Sequence, residues 1–313
     1  MTLQPIIPFE PVSSDQIPNG TDWISQIKWD GVRVLSYLDG KETRLYNRQL
    51  NERTRIFPEI ADAAAYTDAS SAILDGEVIA LDETGTPSFH KVMRRDGIRR
   101  LDRVPPMMES VPIYYMVFDV VYYNGKWVNV LPLYERLQLL DRILLPNAHV
   151  QLVPRQQDGN QLFNVVKERN MEGIVCKKLS STYILDGKND NWRKIKNYKD
   201  IIAVVGGVTY RSGIVNSLLL GLYDQGELLF IGSAGTGKLT AADWRHLTES
   251  LGPFKIEAAP FKAIPKSIKN IQWLKPVITV KVQFIDWPEG HSIRQPSIQA
   301  FVQQKPETCL FPQ

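Results

Sequence analysis

Apolar and polar residues alternate with a period of two along most of this chain, the mark of half-buried strands rather than helices. Residues 23–29, 32–37 and 43–47 each alternate in this way, with Asp30-Gly31 and Asp39-Gly40 between them as turn signals. The pattern predicts three strands joined by tight turns. Residues 72–81 predict a strand pair folded at Asp75-Gly76, residues 112–123 a buried β-branched and aromatic strand, and residues 173–178 another strand. Helical spacing appears at 60–65, 133–145 and 161–169, and the proline-rich first 22 residues predict an extended lead-in.

The texture changes near residue 199. A lysine-dense stretch, 192–199, gives way to short strands at 201–210, 217–223 and 228–235, a helix at 241–251 and a strand at 277–287. Short strands with one interposed helix predict a small barrel of the OB type. The domains are therefore expected at 1–198 and 199–313, with no internal repeat or low-complexity segment.

Composition narrows the class. With 313 residues, 43% hydrophobic and 23% charged, the chain suits one large or two ordinary globular domains. A net charge of +3 permits nucleic acid as a partner without demanding it. Cys176 and Cys309 lie far apart and the four histidines are scattered, which argues against structural zinc and a disulfide framework. Reduced thiols suit a cytoplasmic, nucleoid-associated location. Residues 1–10 carry no signal-peptide pattern, and no apolar run is long enough to span a bilayer, so no membrane association is expected.

The candidate chemistry centres on Lys28-Trp29-Asp30-Gly31. On its own this is equally a surface lysine beside a turn or a lysine nucleophile. Amines attack only when neutral, so the second reading needs burial or neighbouring cations. Five further stretches supply them: Tyr46-Asn47-Arg48 followed by Phe57-Pro58-Glu59, Leu74-Asp75-Gly76-Glu77, Phe118-Asp119, Glu172-Gly173 through Lys177, and Trp192 through Lys196. Lys194 and Lys196 share one face of a strand, and two ammonium groups side by side repel unless an anion lies between them. Glu77 and Glu172 stand beside glycines at predicted strand edges. Lysines and carboxylates in one cleft describe a site for a polyphosphate with Mg²⁺. Arg94, Arg95, Arg99, Arg100 and Arg103 form either a solvated loop or a basic loop facing phosphates. Residues 232–238 nearly spell a P-loop, but Leu239 stands where a hydroxyl should hold magnesium, and short strands surround it. A glycine-rich barrel turn is the better account.

In order and spacing these stretches resemble the collinear motifs of covalent nucleotidyltransferases, specifically ATP-dependent DNA ligases of the kind found in the ligase module of bacterial LigD-type end-joining proteins. The segments Phe230-Ile231-Gly232, Trp273-Leu274-Lys275-Pro276 and Val282-Gln283-Phe284 resemble that family's barrel. The resemblance implies an α+β fold: an adenylation domain of antiparallel sheets with flanking helices, followed by an OB-fold barrel. It implies that Lys28 attacks the α-phosphorus of ATP, that the AMP passes to the 5′-phosphate of a DNA break, and that the 3′-hydroxyl then seals it. Lys194 and Lys196 are expected to stabilise the α-phosphate, Glu77 and Glu172 to hold ribose or Mg²⁺ (or Mn²⁺), and Phe118 to stack on adenine. Arg33 and Arg48 are expected on phosphate or ribose, and Lys177 on a further phosphate.

Two departures from the family pattern matter. Gln26 stands where the family places a glutamate, though its side-chain oxygen can still accept from the adenine amino group. Ile293-Arg294-Gln295-Pro296 begins the C-terminal motif, but Val302-Gln303-Gln304-Lys305 follows where a second arginine and an acid are expected. Slower self-adenylation is the expected result, with Arg294 and Lys305 as candidates to compensate. The implied partners are nicked or broken duplex DNA and a Ku-like end-binding protein, with the chain itself a monomer. RNA ligation or capping-type guanylyl transfer, and a nucleic-acid-binding protein with a degenerate site, are the competing readings.

Overall fold

The computed structural model describes residues 3–40, 42–288 and 290–311. The chain divides into two compact units, Met1–Asn197 and Tyr198–Gln313. Among the described residues no helix is long and apolar enough to cross a membrane.

Among the described residues the first unit holds ten strands and four helices. They run β1 (Glu10–Ser13), β2 (Trp23–Ile27), β3 (Val32–Asp39), β4 (Glu42–Asn47), β5 (Ser71–Ala80), α1 (Phe89–Asp96), α2 (Val104–Ser110) and β6 (Ile113–Tyr123). There follow β7 (Lys126–Trp127), α3 (Leu133–Ile143), β8 (Val150–Leu152), α4 (Gly159–Glu168), β9 (Gly173–Lys178) and β10 (Lys188–Lys196). These strands form one sheet ordered β1-β10-β9-β2 and another ordered β4-β3-β5-β6-β7 with β8 beside β6. Both are antiparallel except where β1 runs parallel to β10 and β8 to β6.

Alternation along the strands explains the layering. Val34, Leu38, Leu74 and Val117 face a large core closed by α1, α2 and α3. Leu35, Tyr37, Ile73 and Val121 face the other way and pack on Phe9, Tyr183 and Trp192. The aromatic layer joins the two sheets, with the Phe9 and Trp192 rings edge to face at 5.1 Å.

Several expectations change here. The predicted hairpin at Asp30-Gly31 is a crossover, because β2 and β3 lie in different sheets. Its glycine answers to space, not to a turn: a Cβ on Gly31 would sit 2.2 Å from the Val78 carbonyl oxygen. The expected strand pair over 72–81 is the single strand β5, where a Cβ on Gly76 would sit 2.5 Å from the Tyr115 ring. The lead-in contributes β1, and the helix expected at 60–65 is two 3₁₀ turns, Pro58–Ile60 and Ala63–Ala65. The arginine-rich stretch is not a loop throughout: Arg94 and Arg95 lie in the last turn of α1, and a 3₁₀ turn, Leu101–Arg103, leads into α2.

The second unit is a barrel. Its elements are β11 (Lys199–Arg211), β12 (Ile214–Asp224), β13 (Glu227–Ala234), α5 (Ala241–Ser250), β14 (Lys255–Ile256), β15 (Ile271–Phe284) and β16 (Ser297–Val302). The sheet is ordered β13-β12-β11-β15, and both β14 and β16 pair with β15. Its edges then meet: the Ile298 amide donates to the Thr236 carbonyl, and the Lys238 amide to that of Ile298, each at 2.8 Å. Closure removes the free edges of an open sheet. The P-loop-like stretch is this seam. At Gly237, φ is +146° and a Cβ would lie 2.0 Å from the Ile298 carbonyl oxygen. Thr240 then caps α5 through a reciprocal box with Asp243.

Candidate active site

The ladder β2–β9–β10 builds the centre of the site. Ile27 pairs with Ile174, and Lys196 with Gly173. The next residue along β2, Lys28, donates its amide to the Gly173 carbonyl at 2.9 Å. Strand register therefore delivers Lys28, Glu172 and Lys196 to one place. The Lys28 ammonium donates to Glu172 Oε2 at 2.6 Å, and Lys196 Nζ stands 3.9 Å from Oε1. One buried carboxylate thus faces two lysines, in a setting where charge pairs are far stronger than in water. Gly173 makes the close approach possible, since a Cβ there would fall 2.2 Å from the Ile195 carbonyl oxygen.

Lys194 lies two residues before Lys196 on β10. Burial chiefly, then the charges of Lys188 and Lys28, hold its ammonium below the ordinary lysine range, against the pull of Glu10 and Glu172. Glu77 faces Arg33 across the β3–β5 pair and has no hydrogen-bond partner among the described residues. Burial above all pushes its carboxyl up to about 8, against Lys28 and Arg33 and with help from Glu172 and Asp75. Lys28, Glu77, Glu172, Lys194 and Lys196 therefore share one electrostatic field.

Beside them lies an apolar cluster of Ile79, Met116 and Val153, with Trp29 and Phe118 packed on it. Gln26 is buried, and its Nε2 donates to the Val153 carbonyl at 3.3 Å. Its Oε1 and the Trp29 indole N–H are buried without a partner. A buried polar atom left unpaired costs about 1–3 kcal/mol. A flat heteroaromatic base with its own donor and acceptor would satisfy both. Nothing in the sequence marks Trp29 beyond its place next to Lys28.

Arg33, Lys177 and Arg48, the cations expected on phosphate or ribose, lie in three different settings. Arg33 is held within the protein: Nε and Nη2 donate to the two Asp75 carboxylate oxygens at 2.9 and 2.6 Å, and Nη1 donates to the Phe9 carbonyl at 2.7 Å. Burial disfavours its charge, but Asp75 outweighs that and holds the guanidinium above its ordinary value. Lys177 is buried between two rings, its Nζ 4.2 Å from the Phe118 centroid and 4.0 Å from that of Trp192, with no hydrogen bond. Burial holds it down to about 7, reinforced by Arg33 and Arg136 and opposed by Asp119 and Asp75. The Arg48 side chain is 64% exposed and 3.7 Å from Glu10, outside the lysine–carboxylate group. Arg294 belongs to the second unit, where its amide donates to the Asp286 carbonyl.

The motif acids Asp75, Asp119 and Glu59 each hold an arginine in a two-pronged pair, with Arg33, Arg136 and Arg95 respectively. The sequence does carry a signal for them: an acid inside an apolar run needs a cationic partner. Among the described residues no three metal-ligating side chains converge. Glu77 and Glu172 are the carboxylates that would hold a magnesium ion, which takes one or two carboxylates and completes its shell with phosphate oxygens and water. The unpartnered Glu77 carboxyl is the observation in favour.

Comparison with known proteins gives the same direction. A family profile described as "ATP dependent DNA ligase domain" matches residues 12–196, and one described as "ATP dependent DNA ligase C terminal region" matches 211–305. The "Multifunctional non-homologous end joining DNA repair protein LigD" of Mycobacterium tuberculosis is 30% identical over 286 residues, 88% of this chain and 36% of that protein. A "DNA ligase" of Thermococcus onnurineus is 31% identical over 251 residues, 76% of this chain and 44% of that one. The solved ligase domain of M. tuberculosis LigD superposes with a TM-score of 0.54 at 25% identity, covering 98% of each chain. The chain thus spans about a third of the length of the LigD proteins it matches. On two consecutive profile matches that between them take in most of its length, the chain belongs to the family of ATP-dependent DNA ligases.

Proposed function

We propose that this chain seals breaks in duplex DNA through a covalent lysyl-AMP intermediate. The observation that carries the reading is the Lys28 ammonium held 2.6 Å from Glu172, with Lys196 on the other carboxylate oxygen. Glu172 is the nearest base to the amine. Once the amine is neutral, its lone pair attacks the α-phosphorus of ATP, the N–P bond forms and the P–O bond to pyrophosphate breaks. Lys194 and Lys196 oppose the negative charge that builds on the α-phosphate oxygens. A magnesium ion at Glu77 and Glu172 would add charge neutralisation on the leaving phosphates. The adenine would lie against the apolar cluster of Ile79, Met116, Val153 and Phe118, with Gln26 Oε1 accepting from its amino group.

A 5′-phosphate oxygen at the break then attacks the same phosphorus, releasing the lysine and forming an adenylated end. The 3′-hydroxyl attacks the 5′-phosphorus, a phosphodiester forms and AMP leaves. The end-joining names of the relatives support broken as well as nicked DNA as substrate, and a repair role with a Ku-like partner belongs to the same proposal.

The test is labelling of the protein with [α-³²P]ATP and Mg²⁺, and sealing of a pre-adenylated nick. Wild-type protein labels with ATP and not GTP; Lys28→Ala does not label. Labelling that survives Lys28→Ala, or preference for GTP, refutes the proposal.

A further inference from the structure

Two neighbouring cavities outside the site described above open on the first unit. One, of about 470 Å³, is walled by the loop of residues 52–56 and by residues 96–101. The other, of about 430 Å³, is walled by residues of α1, of the segment 97–103 and by Met107 of α2. They share Gly97, Ile98 and Arg99. Six arginines line the pair of cavities: Arg53, Arg55, Arg94, Arg99, Arg100 and Arg103.

The acids nearby are already engaged. Asp96 takes Arg53 at 2.6 Å, Asp102 takes Arg100 at 2.8 Å, and Glu52 accepts from the Thr54 hydroxyl at 2.9 Å. Arg55, Arg94, Arg99 and Arg103 are exposed and have no ion-pair or hydrogen-bond partner among the described residues. Arg55 and Arg99 flank one cavity and Arg94, Arg99 and Arg103 the other, so unpaired guanidiniums gather around the pair and repel one another unless anions enter. Guanidinium forks match phosphate oxygens in geometry as well as charge.

The loop that walls the first cavity leaves β4 at Asn47, which pairs with Val34 near the start of β3, the end of the sheet that Lys28 enters. Resting on the reading of the chain as acting on duplex DNA, we infer that this pair of arginine-lined cavities grips the phosphate backbone of the duplex away from the break. It does so without reading sequence, since phosphates carry none. Successive phosphates along a strand would occupy the two adjacent cavities, where one free phosphate would fill only part of either.

The test is the triple variant Arg55→Gln/Arg99→Gln/Arg103→Gln, which touches no residue of the nucleotide site. Its melting temperature and its labelling by ATP without DNA should match the wild type. Its affinity for a nicked duplex should fall by about 10–100-fold at moderate salt, and the slope of log affinity against log salt should flatten by about 3, roughly one for each arginine removed from a phosphate. Arg99→Gln alone should flatten the slope by about 1, which keeps the test open should the triple variant unfold. Unchanged DNA affinity and slope in both variants overturn the inference, and would leave the cavities to an acidic protein partner. Failure of the wild type to label with ATP is a different result, and strikes at the ligase reading instead.

Discussion

Replacing Lys177 by methionine should make the protein more stable, not less. Lys177 is 2% exposed, its Nζ has no hydrogen bond, and burial holds its pKa down to about 7 from 10.5. In a rigid site a depression of that size corresponds to roughly 4–5 kcal/mol against the charged form. The two ring faces return about 2 kcal/mol of it through cation–π attraction. A net gain of about 2 kcal/mol is expected near pH 6, where both folded and unfolded chains carry the proton. Between about pH 7 and 10.5 the unfolded chain keeps a proton that the folded chain has released, so wild-type stability rises with pH across that window. Methionine has no such titration and fills similar volume. The advantage of Lys177→Met should therefore shrink as pH climbs above about 7 and change sign before about pH 10, because the roughly 4–5 kcal/mol that the wild type gains over that window exceeds the starting difference of about 2 kcal/mol. Urea unfolding at several pH values reads this directly, and near pH 6 the melting temperature should rise by about 4–8 °C. A variant less stable than wild type near pH 6, or a difference that does not change with pH, refutes the argument.

Other outcomes follow from the same geometry. Gln26→Leu removes the orphaned acceptor beside the apolar cluster and should raise the apparent KM for ATP about tenfold while sparing sealing of a pre-adenylated nick, measured side by side. Glu77 has its carboxyl raised to about 8, so wild-type stability should fall as pH climbs from the ordinary glutamate range to that value, and Mg²⁺ affinity should climb over the same span. Glu77→Gln should flatten both profiles, read by thermal melts and metal titration. Gly31→Ala pushes a Cβ to within 2.2 Å of the Val78 carbonyl oxygen and should cost more than about 2 kcal/mol in urea unfolding.

Most strands are legible from alternation alone, because each buries one face and wets or packs the other separately. What pattern cannot tell is which strands share a sheet. Asp30-Gly31 looks like a hairpin turn, yet nothing local distinguishes a glycine chosen for its φ from one chosen because Val78 leaves no room. The same ambiguity makes β5 look like two strands at Gly76. Motif order groups Lys28, Glu172 and Lys196, and they do meet, since the β2–β9–β10 register fixes them. Arg33 and Lys177 are expected on phosphate because they are cations near the motifs, and the sequence does not show how deeply they are buried. Their burial depends on Asp75, Phe118 and Trp192, residues distant in sequence, and no local window contains that information.

The crossover at residues 28–31 has a mechanical consequence. Four residues bridge two stacked layers, a tether with too little slack to absorb sliding of one layer over the other. If Lys28 is the nucleophile proposed above, any such shear would reach its amine as a change in approach angle to phosphorus. The aromatic filling between the layers thus serves as the brake that keeps the amine aimed, and loosening it at Phe9 or Trp192 would blunt turnover without touching a single group that meets the nucleotide's phosphates.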